Sequence, residues 1–119
     1  MKDINVLKNI GIDIDSALNN LGDMNMYNEL LETFYTSSLD RVPKIIKYKG
    51  IADYQNYAVL VHAMKSECLY LGMNKLADMC YNHQVKAQSN DVEYITSDFD
   101  NLIKEITSVL EVIRVYLGK

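Results

Sequence analysis

The chain has 119 residues, of which 49% are hydrophobic and 24% are charged, and its formal net charge at pH 7 is -4. A chain of this length forms one compact domain that buries roughly two thirds of the surface exposed on unfolding, so it needs neither disulfides nor a structural metal. Its apolar content excludes a disordered segment, and 5 glycines with 1 proline supply too few turns for an all-β domain. The composition therefore predicts a single, mostly helical domain over residues 1–119.

No stretch of about 18 or more apolar residues is present, and the first residues lack a hydrophobic signal core. We therefore expect a cytoplasmic protein without membrane insertion. In that reducing compartment the two cysteines, Cys68 and Cys80, are expected to remain free thiols.

The first predicted elements are a loose lead-in at residues 1–10 and a short helix after it. Asp13 or Asp15 can accept hydrogen bonds from the free N–H groups of a first helical turn, and Gly22 can end the helix. We expect this segment to be a short extra helix at the N-terminal side of the main fold.

A long helix is predicted next, from about Asn25 to Lys47. Apolar residues recur there at spacings of three and four, which indicates one buried stripe. Pro43 lies inside this pattern, and its ring removes a backbone donor and crowds the carbonyl of Leu39. We therefore expect a kink or a short interruption, with Gly50 closing the helix.

Three further helices complete the predicted fold. Asp53 predicts the start of a helix that reaches about Leu71, and another spans about residues 74–87. Residues 89–91 form a turn before the last helix, whose apolar positions alternate steps of three and four. Four long helices with short connections predict an all-α, up-and-down antiparallel four-helix bundle.

His62 is the candidate functional residue, because helical geometry places it away from the core. With about 100° of turn per residue, the apolar stripe of its helix lies roughly 160° to 240° from His62. That stripe contains Tyr57, Leu60, Met64, Cys68 and Leu71. The opposite face, around His62, carries Gln55, Ala58, Val59, Lys65, Ser66 and Leu69.

A neutral imidazole has one unprotonated ring nitrogen, which is a nucleophile. Lys65 lies three residues after His62 and could stabilise negative charge placed on that nitrogen. Ser66 lies one turn after His62, and its small side chain would let a partner approach.

The segment at residues 62–72 reads His-Ala-Met-Lys-Ser-Glu-Cys-Leu-Tyr-Leu-Gly. It resembles the signature of histidine phosphotransfer domains, usually His-x-Leu-Lys-Gly with a second glycine ten residues after the histidine. The family's acidic cap before the histidine corresponds to Asp53, and a leucine after the second glycine corresponds to Leu76. The family's N-terminal segment and its second helix also resemble the corresponding segments of this chain, so the resemblance covers roughly residues 10–117. The residues that carry this wider similarity are Gly11, Ile12, Asp13, Tyr27, Leu30, Leu31 and Phe34.

The resemblance implies a phosphocarrier of a two-component phosphorelay that has no kinase activity of its own. His62 would accept a phosphoryl group on Nε2, Lys65 would balance its charge, Ser66 would keep access open, and Gly72 would end the helix. The phosphoryl group would pass between aspartates of response-regulator receiver domains, with a hybrid sensor histidine kinase upstream. The domain itself would hold no cofactor, because the receiver supplies the Mg²⁺.

The resemblance also implies a docking surface, formed by the His62 face and neighbouring parts of the helix at 25–47. We expect Gln55, Val59 and Leu69 to contact the partner, with the protein acting as a monomer. Leu69 is larger than the alanine usual in the family, which would affect the choice of partner. Glu67 and Tyr70 also replace small residues, but the helical wheel places them away from the imidazole.

Other functions compete with this interpretation. A helical scaffold module could bind signalling partners without transferring phosphate. His83 shares a face with apolar residues and is expected to be packed or at the core boundary. A zinc site made of His62, Cys68, Cys80 and His83 is disfavoured, because His62 and Cys68 point to opposite sides of one helix.

The basic residues Arg41, Lys44, Lys47 and Lys49 could suggest nucleic-acid binding. The chain is acidic overall, however, and positive charge also suits the end of a helix. We therefore expect a solvated helix end and no nucleic-acid partner.

Overall fold

The computed structural model of the protein describes residues 2–119, and most of them are helical. Within these residues six helices follow one another: α1 (Ile4–Lys8), α2 (Ile14–Leu21), α3 (Met24–Gly50), α4 (Tyr54–Tyr70), α5 (Asn74–Gln88) and α6 (Val92–Leu117). The described residues contain no strand. The predicted all-α class is confirmed, and among residues 2–119 no helix has both the length and the apolar content needed to cross a membrane.

Aspartates define where most of the helices begin. In five of the six helices an aspartate side chain accepts a hydrogen bond from a backbone N–H of the first turn, which satisfies one of the groups left free there. The five caps are Asp3, Asp13, Asp23, Asp53 and Asp91. The predicted start at Asp53 and the capping turn that ends at Asp91 are therefore confirmed, and of the two candidates for the first cap, Asp13 and Asp15, the structure has Asp13.

Helix α1 lies in the segment that was predicted to be a loose lead-in, so that prediction is wrong for residues 4–8. Leu7 is fully buried, and α1 packs against α6. A helix of five residues is too short to show a helical period in the sequence, and its burial depends on the distant α6. Met1, which the same prediction included, lies outside the described residues.

Helix α3 passes Pro43 without a break, so of the two expected outcomes, a kink or a short interruption, the interruption is wrong. Pro43 is exposed, and buried side chains anchor the helix on both sides of it, with Phe34 before and Ile45 after. This packing offsets the backbone hydrogen bond that the proline ring removes. The helix ends at Gly50, as expected.

The long helices pack in a closed circuit around one core. Helix α3 contacts α4, α4 contacts α5, α5 contacts α6, and α6 contacts α3. Helix α2 packs on α3 and α4. The resulting body measures 41 × 26 × 20 Å, and its largest fully buried side chains are those of Tyr27, Tyr57, Tyr116 and Phe34.

Gly72 forms the corner between α4 and α5, where the chain meets the start of α2. Its φ is +76°, and its carbonyl accepts a hydrogen bond of 2.9 Å from the backbone N–H of Asp13. A Cβ atom at position 72 would collide with the carbonyl oxygen of Asp13. Both the backbone angle and the close approach therefore require glycine.

A polar junction, made of the buried Tyr57 and His83 and the partly exposed Asp98, joins α4, α5 and α6. Nδ1 of His83 lies 2.9 Å from the hydroxyl of Tyr57, and Nε2 lies 2.9 Å from Oδ2 of Asp98. A carboxylate can only accept, so Nε2 donates to Asp98 and the Tyr57 hydroxyl donates to Nδ1. His83 is fully buried, which confirms the expectation of a packed histidine.

The pKa values at this junction follow from burial and hydrogen bonding. Burial lowers the pKa of His83, and this effect outweighs the opposing attraction of Asp98. Burial acts to raise the pKa of Asp98, but hydrogen bonds from His83 and Asn101 outweigh it, so the pKa lies below its ordinary value. His83 is therefore a neutral imidazole at neutral pH.

Arg41 departs from the expected solvated helix end. Its guanidinium donates to Glu67 on α4 at 2.8 Å, and only 15% of its side chain is exposed. Position 41 lies well inside α3, which continues to Gly50, so Arg41 faces the neighbouring helix instead of the end of its own. Lys44 is exposed and pairs with Asp40 one turn earlier.

Candidate functional site

His62 lies in the middle of α4 on its exposed side, as the helical geometry predicted. The predicted core stripe is confirmed at Tyr57, Met64, Cys68 and Leu71, all of which are buried. Leu60 is only half-buried. Ala58, expected on the open face, is buried where α5 packs against α4, and Ala58 and Ala87 line the same groove.

The imidazole of His62 is oriented by Gln84 of α5. Nδ1 lies 3.0 Å from the side-chain oxygen Oε1 of Gln84. An amide oxygen can only accept a hydrogen bond, so Nδ1 carries the proton in this pair. In the neutral ring Nε2 is then the nitrogen with the free lone pair.

Lys65 lies one turn after His62 and leans toward the same neighbouring helix. Its ammonium lies 5.3 Å from the ring centroid of Tyr81 on α5. This is cation–π geometry, in which the aromatic face attracts the ammonium without removing its formal charge. The positive charge of Lys65 therefore remains available on the His62 side of α4.

Ser66 and Glu67 leave the imidazole uncovered. The hydroxyl of Ser66 donates to the backbone carbonyl of His62 at 3.2 Å, so it lies against the helix. The carboxylate of Glu67 is held by Arg41 of α3, on another side of α4. Gly72 ends this segment with the positive φ described above.

A groove of about 590 Å³ runs between α4 and α5 beside His62. Gln55 and Val59 line it together with His62, and Val59 is 60% exposed. The other lining residues are Tyr54, Ala58, Gln84, Ala87, Gln88 and Asn90. The structure therefore brings two of the three predicted docking residues into one concavity with the histidine.

Leu69, the third predicted docking residue, lies in a separate shallow depression. Lys65, Ser66 and Tyr70 of α4 line that depression with Asn20 of α2, and Leu69 is 54% exposed. The exposed face of α4 thus has an apolar side chain on each side of His62.

The sequence prediction did not include the contribution of α5. Tyr81, Gln84 and Gln88 follow one another at spacings of three and four, which places them on one face of a helix. That spacing was visible in the sequence, but which face of α5 meets α4 depends on the packing of the whole domain. The predicted docking surface used the helix at 25–47 instead, and the groove takes its second wall from α5.

Within residues 2–119 no group of three or more His, Cys, Asp or Glu residues is arranged to hold a metal ion. His83 is committed to Tyr57 and Asp98. Burial raises the pKa of Cys80 to about 12 and raises that of Cys68 as well, so both are protonated thiols in the core. The four side chains of the zinc alternative therefore lie in different environments.

No protein-family model, curated protein or solved structure matches this chain. The chemistry available at the site follows from its geometry. An exposed imidazole has its proton fixed on one nitrogen by Gln84, and Lys65 places a cation one turn away. This arrangement can donate a lone pair to an electrophile that a partner brings to the surface.

Proposed function

We propose that this protein is a histidine phosphotransfer domain. His62 accepts a phosphoryl group on Nε2 from the aspartate of a receiver domain and passes it to the aspartate of another receiver. The observation that carries the proposal is the hydrogen bond from Nδ1 of His62 to Gln84, because it leaves the lone pair on the outer nitrogen of an exposed ring.

The transfer step needs few groups from this chain. The lone pair of Nε2 attacks phosphorus, the N–P bond forms, and the P–O bond to the aspartate breaks to release a carboxylate. The ring becomes positively charged, and its Nδ1 proton stays bonded to the Gln84 oxygen as a charge-assisted hydrogen bond. Transfer to the second receiver reverses these bond changes.

Charge on the phosphoryl group is balanced from two directions. The ammonium of Lys65 supplies positive charge on the side of this domain. The resemblance assigns the Mg²⁺ to the receiver, where it stabilises an in-line transfer. A phosphocarrier of this type has no kinase activity of its own and depends on its partner for catalysis.

The fold that we propose for this function is an up-and-down antiparallel bundle of α3, α4, α5 and α6. Only residues 51–53, 71–73 and 89–91 connect these helices, and such short connections favour antiparallel neighbours. The closed circuit of helix contacts supports the same arrangement.

The proposed partners are receiver domains and a hybrid sensor histidine kinase in the cytoplasm. The protein would bind them as a monomer. Gln55 and Val59 in the groove and Leu69 beyond it supply the contact surface. Exposed apolar side chains around a small polar site are typical of the centre of a transient interface.

The direct test is incubation of the protein with a phosphorylated receiver domain. We expect a phosphate label on the protein that is labile in acid and stable in base, and we expect His62→Gln to lack it. His83→Gln is the matched control. The imidazole of His83 is buried and should not take the label, so this variant should be labelled like the parent; circular dichroism checks that it folds. A label that persists in His62→Gln would show that the proposal is wrong. Absence of transfer from several receivers, with tight binding to one, would instead favour a scaffold module.

The docking surface is tested by Leu69→Asp. A charge in the apolar contact should slow transfer about tenfold or more, since burying an unpaired charge costs on the order of 1–3 kcal/mol even at a partly wet interface. Val115→Asp is the control, because Val115 is similarly exposed but lies on α6. Both variants should keep the helical content of the parent. Equal transfer rates for Leu69→Asp and the parent would contradict the docking surface.

A further inference from the structure

Helix α5 forms two contacts with the His62 side of α4, and they share one register. His62 contacts Gln84, and Lys65 contacts Tyr81. Three residues forward along α4 correspond to three residues backward along α5. Each of the two α4 side chains that the proposed chemistry uses is therefore bound by the α5 residue opposite to it.

This register determines where the ammonium of Lys65 lies. A lysine on an exposed helix face ordinarily samples many rotamers and spends much of its time extended into water. The Tyr81 ring attracts the ammonium toward the seam between α4 and α5, and Gln84 holds the imidazole at the same seam one turn away. The cation and the nucleophile thus lie along the same seam between the two helices.

We propose that Tyr81 is a positioning residue that holds the ammonium of Lys65 beside His62 before a phosphoryl group arrives. The inference rests on the proposed phosphotransfer at His62 and adds a residue to that site. Tyr81 acts through Lys65, because its ring binds the ammonium and is not required to touch phosphorus. It is 51% exposed, so part of the ring also stays in contact with water.

The nature of the contact fixes which substitutions matter. The attraction comes from the negative face of the aromatic ring, so phenylalanine preserves it. Leucine keeps apolar bulk at position 81 but has no such face. Tyr81→Phe is therefore the conservative variant, and Tyr81→Leu is the disruptive one.

The kinetic test uses phosphoramidate, a small phosphoryl donor that needs no receiver. Nε2 of His62 attacks its phosphorus, the N–P bond to the protein forms, and the P–N bond of the reagent breaks to release ammonia. We expect Tyr81→Leu to slow labelling of His62 about two- to fivefold at low ionic strength, the ratio typical for loss of an exposed cation–π contact. Tyr81→Phe should label at the parent rate.

A double-variant comparison shows whether Tyr81 acts through Lys65. In a Lys65→Met background, Tyr81→Leu should cause no further slowing. The same twofold or greater slowing in that background would overturn the proposal, and so would a Tyr81→Phe variant as slow as Tyr81→Leu.

A proton NMR measurement tests the position of Lys65 without any phosphorylation. The Tyr81 ring should shift the ε-methylene resonances of Lys65 upfield, and the shift should persist in Tyr81→Phe and disappear in Tyr81→Leu. Unchanged Lys65 resonances in Tyr81→Leu would overturn the positioning role. Failure of the parent to take label at His62 would instead count against the proposed function, so the two failures are separable.

Discussion

At the residue scale, Gly72 is constrained by both its backbone angle and its neighbour. Its φ is +76°, and the space that a side chain would need is filled by the backbone of Asp13. Gly118 has nearly the same φ, +75°, but open space where a Cβ would lie. Substitutions at the two glycines therefore distinguish the energetic cost of backbone strain from the cost of a steric collision.

We expect Gly118→Ala to lower the free energy of unfolding by about 1 kcal/mol, the energy of a left-handed backbone at a residue with a Cβ. Gly72→Ala should lower it by about 2 kcal/mol more, because the Asp13 backbone must also move. Urea denaturation of the two variants measures the difference. Equal losses would mean that α2 shifts away from the corner at no energetic cost.

Residue-scale features were predictable from the sequence where they depend on neighbours along one helix. The exposure of His62 and the positions of Lys65 and Ser66 follow from helical geometry alone. Gln84 and Tyr81 could not be found in this way, because they meet α4 across a gap of many residues in the chain. Their role depends on the rotation and register of α5, which are set by packing.

At the element scale, Pro43 tests how much helix α3 depends on its own backbone. Pro43→Ala restores an N–H that can donate to the carbonyl of Leu39. We expect the free energy of unfolding to rise by about 2 kcal/mol, since an interior proline costs ~3 kcal/mol in the helix and stiffens the unfolded chain by up to ~1 kcal/mol. Thermal denaturation provides the measurement.

The matched control for Pro43→Ala is Thr36→Ala, which is also on the exposed side of α3. This change alters only helix propensity, so it should add no more than ~0.7 kcal/mol. A Pro43→Ala variant no more stable than Thr36→Ala would show that α3 has adapted fully to the proline.

The helices themselves were largely predictable, because their starts depend on residues next to them in the sequence. Asp53 precedes the helix it caps, and this start could be predicted from a single residue, whereas Asp15 was an equal candidate beside Asp13 for the start of α2. The predictions for Leu7 and Arg41 were wrong because the surroundings of both residues depend on contacts between helices. Leu7 is buried in a short helix that packs on the distant α6, and Arg41 pairs with Glu67 of α4, a contact between two helices that a pattern along one helix does not show.

At the scale of the whole molecule, the buried His83 links stability to pH. Burial lowers its pKa in the folded state, whereas the unfolded chain has the ordinary value of about 6.5. Below that pH the unfolded state binds more protons than the folded state, so stability is lost as the pH falls. This contribution is fully present above about pH 7.

We expect the free energy of unfolding to fall from pH 7 toward pH 5, with a slope of at most ~1.4 kcal/mol per pH unit from His83. His83→Gln should be less stable throughout but should lack the contribution of this residue to the slope. Urea titrations at several pH values provide the comparison. The same slope in both proteins would show that His83 is not its source.

The polar junction of Tyr57, His83 and Asp98 has a further consequence for how the helices align. Apolar side chains gain similar energy in many alignments, so a slide of α5 by one turn, about 5.4 Å, would still bury hydrophobic surface. Hydrogen bonds are directional, and the same slide would break both bonds of His83 inside the core. The junction therefore selects one alignment of the helices among several of similar hydrophobic energy. Gln84, the residue after His83, reaches His62 in that alignment.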